Sequence, residues 1–203
     1  MKSNFSRMLL AMTASLALWS CYPDGMEYYE DTDITYTTYD VDFDFSARNT
    51  YSIPDKIVTD VEIENGDTTF VYMNDVYAKP ILQNIEANMA NYGWTKVNLS
   101  QKPDVVVTPA AMKNTTVFYS YWYDWWYGYG WGWYYPPYYS VSTYTTGTVI
   151  ITLADPNIDN PVNRSQAAWI MAANGLASGV GDITRVTDAI DQAFVQSPYL
   201  KIN

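Results

Sequence analysis

Chemistry in this chain has to be done with carboxylates, hydroxyls and amines. Its 203 residues include no histidine and one cysteine, Cys21. Ser-His-Asp and Cys-His nucleophiles are therefore excluded, as are histidine and multi-thiolate metal sites. A pair of carboxylates needs no histidine to hydrolyse a glycosidic bond, one acting as acid and the other as base or nucleophile. Asp104, Asp124, Asp155 and Asp159 are the candidates for such work. Asp104 and Asp155 each stand beside a proline at the edge of an apolar run, where a turn or capping role is the commoner use of an aspartate. The acidic stretch Asp24 to Asp44 lacks the spaced ligands of a calcium loop, and no metal or cofactor is expected.

A second group of residues has the chemistry of recognition. Phe118 to Tyr139 reads FYSYWYDWWYGYGWGWYYPPYY, fifteen aromatics in twenty-two residues with Asp124 as the only charge. Gly128, Gly130, Gly132, Pro136 and Pro137 break any membrane-spanning helix, and the tyrosine hydroxyls would need partners in hydrocarbon. A long loop or hairpin joining two strands is expected. Such rings can pack on one another and over a sheet, or they can bind. Trp and Tyr offer large, stiff, amphipathic contact area at low entropic cost. Trp122, Trp125, Trp126, Trp131, Trp133, Tyr134 and Tyr135 are the candidate contact residues. An envelope protein, a glycan stacked on the indoles, or a membrane interface would each suit them.

The third chemical position is Cys21. Lys2 and Arg7 precede an apolar run from Met8 to Leu18, and Leu18 and Ser20 lie three and one residues before the cysteine. This arrangement resembles the cleavage box of a bacterial lipoprotein signal peptide, with Trp19 where that box has a small or polar residue. The run is too short to span a bilayer, which needs about 20 apolar residues. The resemblance implies removal of residues 1–20 and acylation of Cys21. At about 0.8 kcal/mol per buried CH₂, more than one acyl chain holds a protein stably on a membrane. The expected address is the cell envelope, at the outer membrane first, facing either the periplasm or the surface.

Composition bounds the chain beyond the cysteine. Nine basic against 22 acidic residues leave the processed chain at −13, and eight of the acids lie between Asp24 and Asp44 with no Lys or Arg among them. Such a charge repels phosphate backbones and anionic headgroups, so nucleic acid is not an expected partner. The length suits one domain. With a single cysteine no disulfide can form within the chain, and the fold depends on its core. Residues 21–35 read as an acidic tether and 36–203 as the domain.

The elements that must position these groups are legible as periodicities. Val41, Phe43 and Phe45 alternate with Asp40, Asp42, Asp44 and Ser46, the period of a half-buried strand. Alternating runs over 56–64 and 68–73 flank Asn65-Gly66, a hairpin signal because both residues tolerate positive φ. Asn74 or Asp75 can cap a helix in which Leu82, Ile85, Met89 and Tyr92 form a stripe, with Pro80 in its first turn and Gly93 at its end. Val105 to Val107, Thr115 to Tyr123, Val141 to Leu153 and Ala167 to Ala173 read as strands. Asp182 can cap a last helix with Ile183, Val186, Ile190 and Phe194 on one face, stopped before Pro198. The pattern predicts an α+β domain, an antiparallel or mixed β-sheet with two helices packed on one face, plus the aromatic-rich hairpin or loop.

Taken in order, the opening strand running into YSIPD, the helix PILQNIEANMANYGW, KPDVVVTPAA, GTVIITLADP, AAWIMA and the closing helix near Ser197-Pro198-Tyr199 resemble the domain-of-unknown-function family numbered 4136, a group of envelope lipoproteins of Gram-negative bacteria. The resemblance spans nearly the whole processed chain. It implies the fold and the address and supplies no reaction. The expected function is a non-enzymatic, lipid-anchored binding module working through residues 118–139. The alternatives are a carboxylate-based glycoside hydrolase and a structural, self-associating envelope component.

Overall fold

A computed structural model of the chain describes residues 35–64, 67–112, 148–156, 167–173 and 183–202. Eight strands build a mixed sheet: β1 (Thr35–Tyr39), β2 (Thr50–Ser52), β3 (Val58–Glu64), β4 (Asp67–Tyr72), β5 (Thr95–Lys96), β6 (Val105–Met112), β7 (Thr148–Ala154) and β8 (Trp169–Ala173). Two helices join them, α1 (Asp75–Asn91) and α2 (Ile183–Gln196). Along the sheet the order is β1-β8-β7-β6-β2-β5, with β3 also pairing β6 and carrying β4 on its outer side. The four strands β1, β8, β7 and β6 are antiparallel, whereas β2 and β3 run parallel to β6.

Both helices lie on one face of this sheet. Val105, Val107, Val149, Ile151, Leu153, Trp169 and Met171 alternate onto that face and share one buried cluster with Ile81, Leu82, Ile85 and Met89 of α1 and Val186, Ile190 and Phe194 of α2. The side-chain period of two in strands and 3.6 in helices produces this layer directly from the apolar spacing. Asn74 caps α1 by accepting the Val76 N–H at 2.9 Å. Gly93 takes φ 93°, and a Cβ there would meet the Ile202 carbonyl oxygen at 2.7 Å, so the close of α1 requires glycine. The chain end is tied to the same corner: the Ile202 N–H donates to the Tyr92 carbonyl at 2.9 Å and the Trp94 indole N–H to the Leu200 carbonyl at 2.8 Å.

Two expectations are corrected. The alternating stretch 41–46 is no strand, since β1 stops at Tyr39 and Val41 is 78% exposed. Asp40 accepts the Asp42 N–H, and Asp44 accepts both the N–H and the hydroxyl of Ser46, starting a 3₁₀ turn at Phe45–Ala47. Short acidic side chains bonding their own backbone outcompete the ladder here. Pro80 lies inside α1, one turn further along than the first-turn placement. There it costs an intrahelical bond, and burial of Ala78, Ile81, Leu82, Ile85 and Met89 around it holds the helix together. The 65–66 turn, the strand expected at Thr115 to Tyr123, residues 141–147 and Asp182 lie outside the described residues, while β3 and β4 on either side of that turn pair from Val58↔Tyr72 to Glu64↔Asp67.

Candidate functional site

Two ends of the sheet bear on the candidate residues. At the first end β2 and β6 begin and β7 stops, bringing Arg48, Thr50, Asp104 and Asp155 together. The Asp104 carboxylate accepts from the N–H groups of Asn49 and Thr50 at 2.9 Å each and from the Thr50 hydroxyl at 2.7 Å. The same hydroxyl accepts the Asp104 N–H at 3.0 Å, closing a ring of bonds. Burial pushes the Asp104 carboxyl up, but these bonds and the nearby Arg48 charge outweigh it and hold the group below the ordinary carboxylate range. Asp155, 3% exposed, pairs with the Arg48 guanidinium at 2.7 Å. That guanidinium also lies over the Phe43 ring, 5.5 Å from its centroid.

This arrangement has the chemistry of a clasp. A general acid for glycoside hydrolysis needs a raised carboxyl pKa, whereas Asp104 is stabilised as the anion and its lone pairs are engaged by backbone. Asp155 is spent on Arg48. The partner candidates Asp124 and Asp159 lie outside the described residues. Sequence alone does not single out Arg48 or Thr50. The only sequence signal for Arg48 is its place as the first basic residue after the acidic stretch.

At the opposite end, β1 and β7 begin and β6 and β8 stop. Thr35 pairs with Ala173, Val149 with Ala173, and Met112 with Thr148. Residues 113–147 therefore leave β6 and return to β7 at directly opposed positions, a gap that a two-residue turn can close in an antiparallel pair. The candidate contact residues Trp122, Trp125, Trp126, Trp131, Trp133, Tyr134 and Tyr135 belong to this connection and lie outside the described residues, as does Cys21. Thr35, the first described residue, enters the sheet at the same end. Among the described residues, Tyr36 is 57% exposed on β1 at this end, no three His, Cys, Asp or Glu are grouped to hold a metal, and no helix is long and apolar enough to cross a membrane.

Known proteins share this outline. A family model described as "Domain of unknown function (DUF4136)" matches residues 35–199. A crystal structure of a DUF4136 family protein from Bacteroides thetaiotaomicron VPI-5482 has a TM-score of 0.63 to this chain at 24% identity, over 84% of this chain and 98% of that one. A PDZ domain protein from Parabacteroides distasonis ATCC 8503 aligns over 83% of this chain and 35% of its own, at TM-score 0.37 and 15% identity, too distant to bear on the fold. No curated protein matches the chain.

Proposed function

This chain belongs to the DUF4136 family, and from that premise we propose that it is a lipid-anchored cell-envelope protein acting as a non-enzymatic binding module through residues 118–139. The observation that carries this reading is the connection from Met112 to Thr148. Strand ends already in register need only a tight turn, yet the sequence places there a long insertion holding fifteen aromatics in twenty-two residues. Rings of this type, density and near-neutrality make contact surfaces. Cys21 supplies the anchor, and the acidic residues up to Asp33 supply a spacer that stands off anionic headgroups. The Asp104 and Asp155 carboxylates are engaged within the fold, which favours binding over hydrolysis.

The experiment is recovery of partners from envelope membranes, comparing the intact protein with a variant carrying Trp125→Ala, Trp126→Ala, Trp131→Ala and Trp133→Ala. Both are first shown to be folded by far-UV circular dichroism. A protein or glycan recovered with the intact chain and lost with the variant supports the reading. Equal recovery from the two defeats it.

A further inference from the structure

Three described strands stand at the margins of the sheet, and they differ in how they meet the outside. β5 is two residues long, and its Lys96 is held by Glu86 at 2.6 Å. β4 begins at Asp67, and its ladder with β3 carries a register shift between Val58 and Asp60. Shortness, charge and irregularity are the usual means by which a sheet edge is kept from pairing with another chain. β1 has none of them, being five residues, Thr-Tyr-Thr-Thr-Tyr, without charge, proline or register shift. It pairs with β8 on one side, and among the described residues no strand pairs with the other.

The direction of each main-chain group of β1 follows from the contact that ends it. The Asp40 N–H donates to the Ala168 carbonyl at 3.0 Å. Hydrogen-bonded pairs recur every second residue in an antiparallel ladder, so Thr38 and Tyr36 also turn their main-chain groups toward β8. The N–H and C=O groups of Thr35, Thr37 and Tyr39 therefore point to the open side, where no described residue bonds to them. The strand is accessible in the chain as a whole, with Tyr36 57% and Tyr39 43% exposed.

Three outward residues centred on Thr37 form a pattern that pairs with itself. A second β1 laid antiparallel about a two-fold axis at Thr37 sets Thr37 opposite Thr37 and Thr35 opposite Tyr39. Each is a hydrogen-bonded pair, so every outward group finds a partner. Tyr36 falls opposite Thr38 on the other face. All cross-strand pairs are then Thr–Thr or Tyr–Thr, of the kinds that stabilise sheets. A charged peptide would find no opposite charge on this strand, whereas its own copy matches it residue by residue. We infer that β1 is a self-association edge whose occupant is β1 of a second copy, joining two sheets into one across the two-fold axis. The chain carries a net charge of −11, so the copies repel one another at low ionic strength and pair more tightly as salt screens them. This association uses neither the aromatic segment nor a membrane partner, and it stands apart from the function proposed above.

Cysteine cross-linking of the full chain in the cells that produce it, under mild oxidation with copper phenanthroline, tests the pairing and its register. Opposed residues of paired strands have Cα atoms about 4.5–5.5 Å apart, within reach of a disulfide. The parent, whose sole cysteine is Cys21, is the blank. Thr37→Cys is expected to give a covalent dimer in several-fold greater yield than the blank or Val41→Cys, an exposed position beyond the strand. Tyr36→Cys and Thr38→Cys are expected to cross-link when co-expressed and not singly, since like positions lie about 7–8 Å apart on the diagonal. Thr37 also bonds the Tyr199 hydroxyl, so if Thr37→Cys does not fold, the co-expressed pair decides. Yields no higher than that of Val41→Cys at every position overturn the inference. So does a preference of Tyr36→Cys for itself over Thr38→Cys, or a yield that falls as salt is added.

Discussion

At one end of the sheet, Asp104 gathers two backbone N–H groups and a hydroxyl within 2.9 Å, and Arg48 and Asp155 meet at 2.7 Å. At the other, Thr35, Met112, Thr148 and Ala173 stand side by side where the chain enters and leaves the sheet for its longest excursions. The first end holds the charged residues that look catalytic on paper and uses them to fasten strands. The second is where the segment carrying the aromatics leaves β6 and returns to β7. The contrast teaches that a carboxylate beside a strand is informative about chemistry only after its hydrogen bonds are counted, whereas an insertion where no insertion is needed is informative by its mere presence.

The comparison is sharpened first by the core that both ends share. Trp169 is 1% exposed, donates its indole N–H to the Ser197 hydroxyl at 2.9 Å and sits 5.6 Å from the Phe194 ring. Trp169→Ala should lower unfolding free energy by about 3–5 kcal/mol in urea denaturation, the usual cost of removing a large buried aromatic. A loss below about 1 kcal/mol would mean that the helix-side layer is not the main core.

Asp155→Ala is the next largest. Removing one partner of a fully buried pair costs about 3–5 kcal/mol. Arg48 keeps a third of its side chain in water, so about 2 kcal/mol is expected after screening. Thermal denaturation of the variant checks this, and an unchanged midpoint would break the clasp account of that end.

Asp104→Asn should cost less, about 1–2 kcal/mol, because an amide keeps one acceptor oxygen for the backbone donors. It also carries a pH signature. The folded-state pKa lies below the ordinary 3.8, so its stabilisation is complete above that value and disappears as pH falls through the folded pKa. Denaturation near neutrality and below pH 3.8 should show the variant losing the acid sensitivity that this one group contributes. A variant with the same acid profile as the parent would contradict the assignment.

Much of this architecture is written in the local pattern, and the parts that are not share a cause. The stripes Leu82-Ile85-Met89 and Val186-Ile190-Phe194 specify their helices because each residue's burial depends on neighbours three and four positions away. Asn65-Gly66 marks the β3–β4 hairpin for a similarly local reason. The stretch after Asp40 misleads because alternation and Asx turns draw on the same residues, and only the competition between ladder and side-chain bonds separates them. The Arg48–Asp155 pair joins residues 107 apart, so nothing near either one announces the other. Asp104 shows its capping role faintly, through Pro103. For the aromatic segment, composition does not separate rings that pack within the protein from rings that meet a partner, since Trp and Tyr serve both.

The central claim is that function resides at the aromatic end and the carboxylate end only holds the fold. It is tested most directly by quantifying recovery of the membrane partner by three folded proteins side by side: the parent, the Asp104→Asn, Asp155→Asn double variant, and the variant with Trp125, Trp126, Trp131 and Trp133 changed to Ala. The account predicts undiminished recovery by the carboxylate variant despite its lower stability, and loss of recovery by the tryptophan variant. Loss confined to the carboxylate variant, with the tryptophan variant binding as the parent does, would contradict it.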